Sequence, residues 1–244
     1  MKGTGSEFIE RTKYRYLPHS DQMMGVRPPP LELAHENGAA TVELPNPRTL
    51  NVGRLDLRDA IEGRTSVRDY SREPLTLEEL SYLLWCTQGV KQVVPRAGTF
   101  RTVPSAGARH ALETYVLANN VTGLRPGLYR FLAVAHRLVE LTTRADIAAR
   151  VARACLGQEL VTESAASLIW AAVPYRMTWR YSERGYRYLF LDAGHACQNL
   201  YLSAQSLGCG VCAVAAFSDD ELNGLLGLDG ENQFAIYTAA IGKR

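Results

Sequence analysis

Cysteine, lysine and long apolar runs are what this 244-residue chain has least of. Five cysteines, an odd number at no regular spacing, build no disulfide framework and fit a reduced, cytoplasmic protein. Lys2, Lys13, Lys91 and Lys243 are the only lysines; every other basic residue is arginine. The net charge of +2 is too small to drive binding to nucleic acid or an anionic membrane. No apolar run approaches the roughly 20 residues of a membrane span. The longest candidate, Leu168 to Val173, is strand-sized. The N-terminus lacks the apolar core of a signal peptide. Neither G-x-x-x-x-G-K-[ST] nor the dinucleotide fingerprint occurs, so no dedicated nicotinamide domain is expected.

What is present is an ordinary globular composition, 46% hydrophobic and 21% charged, long enough for a substantial core. Residues 1–50 stand apart. They hold Pro18, Pro28, Pro29, Pro30, Pro45 and Pro47 and show little periodicity, which reads as an irregular arm lying over the body or a partner subunit. Residues 51–244 form the second unit. A short helix is expected over Asn51 to Gly63. Thr76 and Glu79 make a capping box, ahead of the apolar stripe Leu77, Leu80, Leu83 and Leu84 and a stop at Gly89. Val90 to Val103 reads as a loop turning at Pro95 and Gly98. Leu112 to Ala118 and Gly127 to Ala133 look like a hairpin, with Arg137 to Leu141 as a third strand. Arg144 to Leu156 and Arg184 to Leu207 are helical, the second apolar over most of its girth and so central or at a subunit interface. Ser167 to Val173 and Phe234 to Ile241 are strands, and Gly208 to Ala216 is a buried strand or extended segment. Ser218 with Glu221 is a second capping box, and its helix stops at Gly227. Interleaved helices and hairpins predict an α+β layout around a mixed sheet.

Chemistry gathers first at Arg64-Thr65-Ser66-Val67-Arg68. At the start of a helix, the two arginines four residues apart share one side, where their planar forks suit a phosphate. A solvated helix face, paired with Glu62, Asp69 and Glu73, is the alternative. Pro104-Ser105-Ala106-Gly107 is a small-residue segment that lets a flat ligand approach the backbone. Ser105 has no nucleophile-elbow context, which argues against a hydrolase. Cys209 and Cys212 have the C-x-x-C spacing of a redox pair or half a zinc site. Without a second pair, and inside an apolar strand, they read as buried small hydrophobes, and no metal is expected. Asp192 and His195 lie one helical turn apart, as a ligand pair or as a buried hydrogen bond within the long helix.

Five segments in order carry a resemblance: RTSVRDYSREPLTLEELSYLLWCTQG; VPSAGARHALETYVLANNVTGLRPGLYRF with His136 after it; WRYSERGYRYLFLDAGHACQNLYLSAQSLGCG; AAFSDDELNGLLGLDG; and YTAAIGKR. From about Leu50 to Arg244 the chain resembles the FMN-dependent nitroreductase-like superfamily, nearest its SagB-type dehydrogenases. The resemblance implies a mixed sheet between helices and an intertwined homodimer with FMN at the interface. Arg64, Ser66 and Arg68 match the segment that binds phosphate and ribityl, and Lys243 and Arg244 match basic residues reaching the same phosphate. Pro104, Ser105, Ala106 and Gly107 match the loop beside the flavin ring from the other subunit. Ala213, Val214, Ala215 and Ala216 match the segment along its other side. Some SagB-type members oxidise azolines in peptides with a Lys-Tyr pair. The aligned residues here are Arg180 and Tyr181, so the lysine is replaced by an arginine that stays protonated. Arg180 then stabilises charge or simply pairs with Glu183, while Tyr181 handles a proton. The implied activity is FMN-dependent dehydrogenation of a heterocycle in a peptide or other natural product. A nitro or quinone reductase using NADH or NADPH is an alternative. A weakly active scaffold subunit, docking biosynthetic partners on its arm, is another.

Overall fold

The computed structural model describes residues 3–36, 38–94 and 98–244, and the turn expected at Pro95 lies outside them. The arm is less irregular than its prolines suggest. It opens with α1 (Thr4–Arg11) and later supplies β1 (Thr41–Glu43). α2 (Leu57–Gly63) is shorter than the sequence suggests, because Asp56 accepts the Arg58 N–H and so sets the helix start. β2 (Leu75–Thr76) leads into α3 (Leu77–Gln88), where Thr76 and Glu79 close the expected capping box and Gly89 ends the helix. β3 (Val90–Val94) and β4 (Gly98–Arg101) form an antiparallel ribbon where the sequence suggests a loop. Its central residues Lys91, Gln92 and Val93 are solvent-exposed, so the strand carries no buried alternation to read.

β5 (Leu112–Ala118), β6 (Val121–Thr122), β7 (Gly127–Leu132) and β8 (Arg137–Thr142) follow, then α4 (Ile147–Ala154), α5 (Leu160–Glu163) and β9 (Ala166–Ala172). α6 (Pro174–Tyr181), with proline in its first turn, has no counterpart in the sequence reading. α7 (Gly185–Gln205), β10 (Cys209–Val214), α8 (Asp219–Leu226) and β11 (Phe234–Lys243) complete the chain. Ser218 flanks α8 without a side-chain cap. Three acidic residues in the first turn, Asp219, Asp220 and Glu221, favour that end instead.

The main sheet runs β1-β8-β7-β5-β9-β11-β10, and every ladder in it is antiparallel. The mixed character expected of it survives only as a parallel bridge from Ser66 to Val211 on the edge strand. Local hairpins account for much of the antiparallel pairing. β9 lies inside the sheet and is buried on both faces, as its unbroken apolar run requires. Leu168 and Trp170 join a core layer with α3 and α7, while Ile169 and Ala171 join a second layer with α4 and α8. Helices therefore cover both faces. Cys209 and Cys212, three apart in a strand, fall into opposite layers, and all five cysteines are free.

Buried charge fastens the arm. Arg176 on α6 and Glu113 on β5 form an ion pair at 2.6 Å with side chains 4% and 3% exposed. Glu113 also accepts the Leu33 N–H, and Arg176 donates to the Pro30 carbonyl. Arg130 on β7 donates to the carbonyls of Leu33 and Ala34. Glu113→Ala leaves Arg176 buried without its carboxylate and releases the arm. Its unfolding free energy should fall by about 3–5 kcal/mol in a denaturant titration, with faster proteolysis near residue 30.

Candidate active site

Residues 64–68 are extended rather than helical. α2 stops at Gly63, Ser66 bridges Val211, and the Val67 N–H donates to the Val211 carbonyl at 2.9 Å. An extended path alternates its side chains, so Arg64, Ser66 and Arg68 still share a side, by a period of two instead of a helical turn. Val67 turns the other way and packs on Gly210, where an added Cβ would lie 2.5 Å from it. Arg58 pairs with Glu62 on an exposed surface, as a solvated face would. Among the described residues, Arg64 and Arg68 have no ion-pair partner.

Tyr201 of α7 joins these parts. Its hydroxyl lies 3.0 Å from the Ser66 Oγ and accepts the Ala213 N–H at 2.9 Å, while the Arg64 guanidinium sits 5.4 Å from its ring centre. Ala213 lies in the edge strand. Val214 turns into the core, the Ala216 carbonyl accepts from Gln158, and Ala215 is exposed. The structure gathers Arg64, Ser66 and Ala213 around one phenol. It places the Lys243 ammonium elsewhere, on the Glu79 carboxylate and the Leu207 carbonyl. Arg244 is exposed, with its backbone N–H on Gly208.

The second group lies around Gly107. In the Pro104–Gly107 loop, Ser105 Oγ accepts the His110 N–H and the Ser105 carbonyl accepts the Ala108 N–H. Gly107, Ala108 and His110 have φ of 57°, 53° and 45°, a left-handed conformation that non-glycine residues seldom adopt, with Arg109 between them at φ −79°. A Cβ at Gly107 would stand 2.5 Å from the Tyr181 hydroxyl and 2.9 Å from the Arg180 Nε. The loop and the Arg180–Tyr181 pair, some seventy residues apart in sequence, are thus in contact through a space only glycine leaves. Arg180 is exposed and lies 5.6 Å over the Tyr181 ring. No ion pair joins Arg180 to Glu183 among the described residues. Asp192 of α7 accepts the Ala106 N–H at 3.3 Å, and its other oxygen is buried without a partner. Burial raises its pKa. His195 is exposed, so the expected buried bond between His195 and Asp192 is replaced by this loop contact. Among the described residues, no cluster of His, Cys, Asp or Glu is suited to a metal ion.

Asp192 and Tyr201 are nine residues apart on one helix. That is about 13 Å along the axis and half a turn around it. Asp192 and Tyr201 therefore anchor two groups of candidate residues at separate places on α7. The sequence reading singles out Asp192 beside His195 but not its contact with Ala106, and Tyr201 escapes a motif-based reading altogether.

Residues 61–243 match the sequence profile described as the Nitroreductase family, well over half of the chain. The chain belongs to the Nitroreductase family. Its relatives in this family include a protein of Methanocaldococcus jannaschii provisionally named a nitroreductase, 38% identical over 72% of this chain and 86% of that one. The trifolitoxin-processing protein TfxB of Rhizobium leguminosarum bv. trifolii is 29% identical over 53% of this chain and 36% of its own length. A crystal structure of an Anabaena variabilis protein, also provisionally named a nitroreductase, superposes with a TM-score of 0.69 at 28% identity. It covers 84% of this chain, which spans only 42% of that protein. The nitroreductase-like fold and an oxidoreductase assignment follow from the family match.

Two checks address the site. Tyr201→Phe removes the acceptor of the Ala213 N–H and should lower the unfolding free energy by about 1–3 kcal/mol in a denaturant titration. His110 is buried, and burial with the nearby Arg101 pushes its pKa down to about 3. Because that lies below the ordinary histidine value, its contribution to stability is complete above about pH 6.5 and is lost as pH falls towards about 3. His110→Asn keeps a residue that tolerates positive φ, and its Tm should fall less steeply between pH 7 and pH 4 than that of the wild type.

Proposed function

We propose that this protein is an FMN-dependent oxidoreductase of SagB type. It works as a homodimer in which the Tyr201 half-site of one subunit completes the Gly107 half-site of the other. The observation that carries the proposal is the contact of Gly107 with Tyr181 and Arg180, which joins the ring-side loop to the pair suited to proton and charge transfer. Supporting the dimer, Phe190 and Leu191 on α7 and Leu57 and Ile61 on α2 are large apolar side chains more than half exposed.

The residues fit the cofactor. Arg64, Ser66 and Arg68 offer a phosphate two cations without a carboxylate partner and a hydroxyl. Gly107 and the edge backbone from Ala213 to Ala216 offer flat surfaces free of large side chains, as the isoalloxazine ring needs. Lys243 keeps its charge on Glu79, so Arg244 is the terminal cation left for the phosphate. When bound, FMN supplies the hydride acceptor. The chain's own part is to orient the substrate over Gly107, to relay the departing proton to solvent through the Tyr181 hydroxyl, which gives up its own proton as it accepts, and to hold developing negative charge at Arg180. An azoline-like heterocycle in a natural product suits this division, and the toxin-processing name of TfxB favours a natural-product substrate.

The name of the archaeal relative favours a second reading, reduction of nitro compounds or quinones by NADH or NADPH. The scaffold reading has less support. Arm backbone at residues 30–34 is hydrogen-bonded inward by Arg176, Arg130 and Glu113, rather than presented to a partner.

Purified protein should be yellow and release FMN at about one per chain on heating. Tyr181→Phe and Arg180→Ala should each lower turnover by about 10²- to 10⁴-fold at unchanged flavin content. Unaltered turnover in both removes the assigned roles. Rapid bleaching on mixing with NADH or NADPH would move the assignment to the reductase.

A further inference from the structure

Hydrogen bonds from the arm reach α6 and Ser182 on both sides of Arg180 and Tyr181. Trp179, immediately before them, is 6% exposed. Its carbonyl accepts the Gln22 N–H at 2.9 Å, and its indole N–H donates to the Val26 carbonyl at 3.0 Å. Ser182, immediately after them, donates to the Pro18 carbonyl at 3.1 Å. Tyr175, one turn and a half earlier, donates to Asp21 at 2.7 Å. Four hydrogen bonds from residues 18–26 thus bracket the pair without touching it.

Two further features point the same way. Ser182 has φ 47° and ψ −146°, a conformation that a non-glycine residue keeps only where its surroundings hold it. Trp179 also faces the loop. The Arg109 guanidinium lies 5.1 Å over its ring, and Arg109 Nε donates to the Gly107 carbonyl at 3.2 Å. The same indole therefore meets the arm on its edge and the ring-side loop on its face. On the other side, Tyr14 of the arm lies 3.1 Å, oxygen to oxygen, from Tyr188, whose ring packs edge-on to Tyr181 with centres 4.9 Å apart.

We propose that residues 18–26 of the arm are a clamp on α6, with Trp179 and Ser182 as positioning residues that hold Tyr181 against Gly107. This gives the arm a role in the site rather than in docking a partner. The inference rests on the function proposed above for Tyr181, but the placement of that side chain can be read without turnover.

The test compares the wild-type holoenzyme with Trp179→Phe/Ser182→Gly, which removes two of the four bonds and frees the strained backbone. Tetranitromethane is the probe, and nitration of each tyrosine is followed by mass spectrometry. Nitration of Tyr181 should quicken at least fivefold while that of Tyr201, in the other half-site, stays at the wild-type rate. Ser182→Asn, which tolerates positive φ and keeps a donor for Pro18, should behave as wild type. In turnover, the double variant should lose kcat with little change in KM, and should lose almost nothing further in a Tyr181→Phe background. Unchanged nitration of Tyr181, or an equal rise at Tyr201, overturns the clamp. If Tyr181→Phe turns over normally, the catalytic role fails, and the nitration result alone still decides the clamp.

Discussion

The Asp192 carboxylate takes the Ala106 N–H, and nine residues later the Tyr201 hydroxyl takes the Ala213 N–H. These two polar contacts from one helix tie down the small-residue loop and the edge strand. α7 packs on the sheet through Leu189, Ala193, Ala196, Cys197, Leu200 and Ala204. That apolar seam sets the rotation of the helix, and the rotation aims Asp192 and Tyr201 at their partners. The seam and the two polar contacts form one geometry, because turning the helix to improve either would break the other.

Charge is distributed with the same economy. Arg176 and Arg130 hold the arm, Lys243 meets Glu79, and Arg58 meets Glu62 at the surface. Glu79 carries two duties, since one oxygen caps α3 and the other holds Lys243. What is left without an acidic partner among the described residues includes Arg64, Arg68 and Arg180. Arg64 lies beside the Tyr201 ring, and Arg180 beside Gly107 and the Tyr181 ring. A chain with nearly balanced overall charge thus keeps local cationic places while several of its other cations are paired internally.

Parts of this were legible in the sequence. Thr76, Glu79 and Gly89 bound α3 because capping is a local matter of side chain meeting its own backbone. The apolar run at β9 reads as a buried strand because it is buried on both faces. Arg64 and Arg68 read as one face for a helical reason and form one face for an extended one, since a spacing of four returns near the same side in both, whereas Ser66 joins them only in the extended form. Other parts were not legible. Ser218 and Glu221 have capping spacing, yet no side-chain cap forms at Ser218. The β3–β4 ribbon is exposed along its middle and so leaves no alternation. His195 and Asp192 are helical neighbours, but burial of one and exposure of the other separate them.

By itself, the sequence determined the local grammar: which stretches turn, cap, alternate or stay apolar, and that this is an α+β chain with short cationic and small-residue segments. Those features depend on residues within a few positions of each other. Only the tertiary structure decided that Gly107 faces Tyr181 and Arg180, that Lys243 belongs to Glu79, that Tyr201 joins Ser66 to Ala213, and that the arm grips α6. Each is a contact between residues 73 or more apart, apart from the Tyr201–Ala213 bond, or depends on the rotation of a helix against a sheet. The packing of the whole core sets such contacts, and no local pattern encodes it.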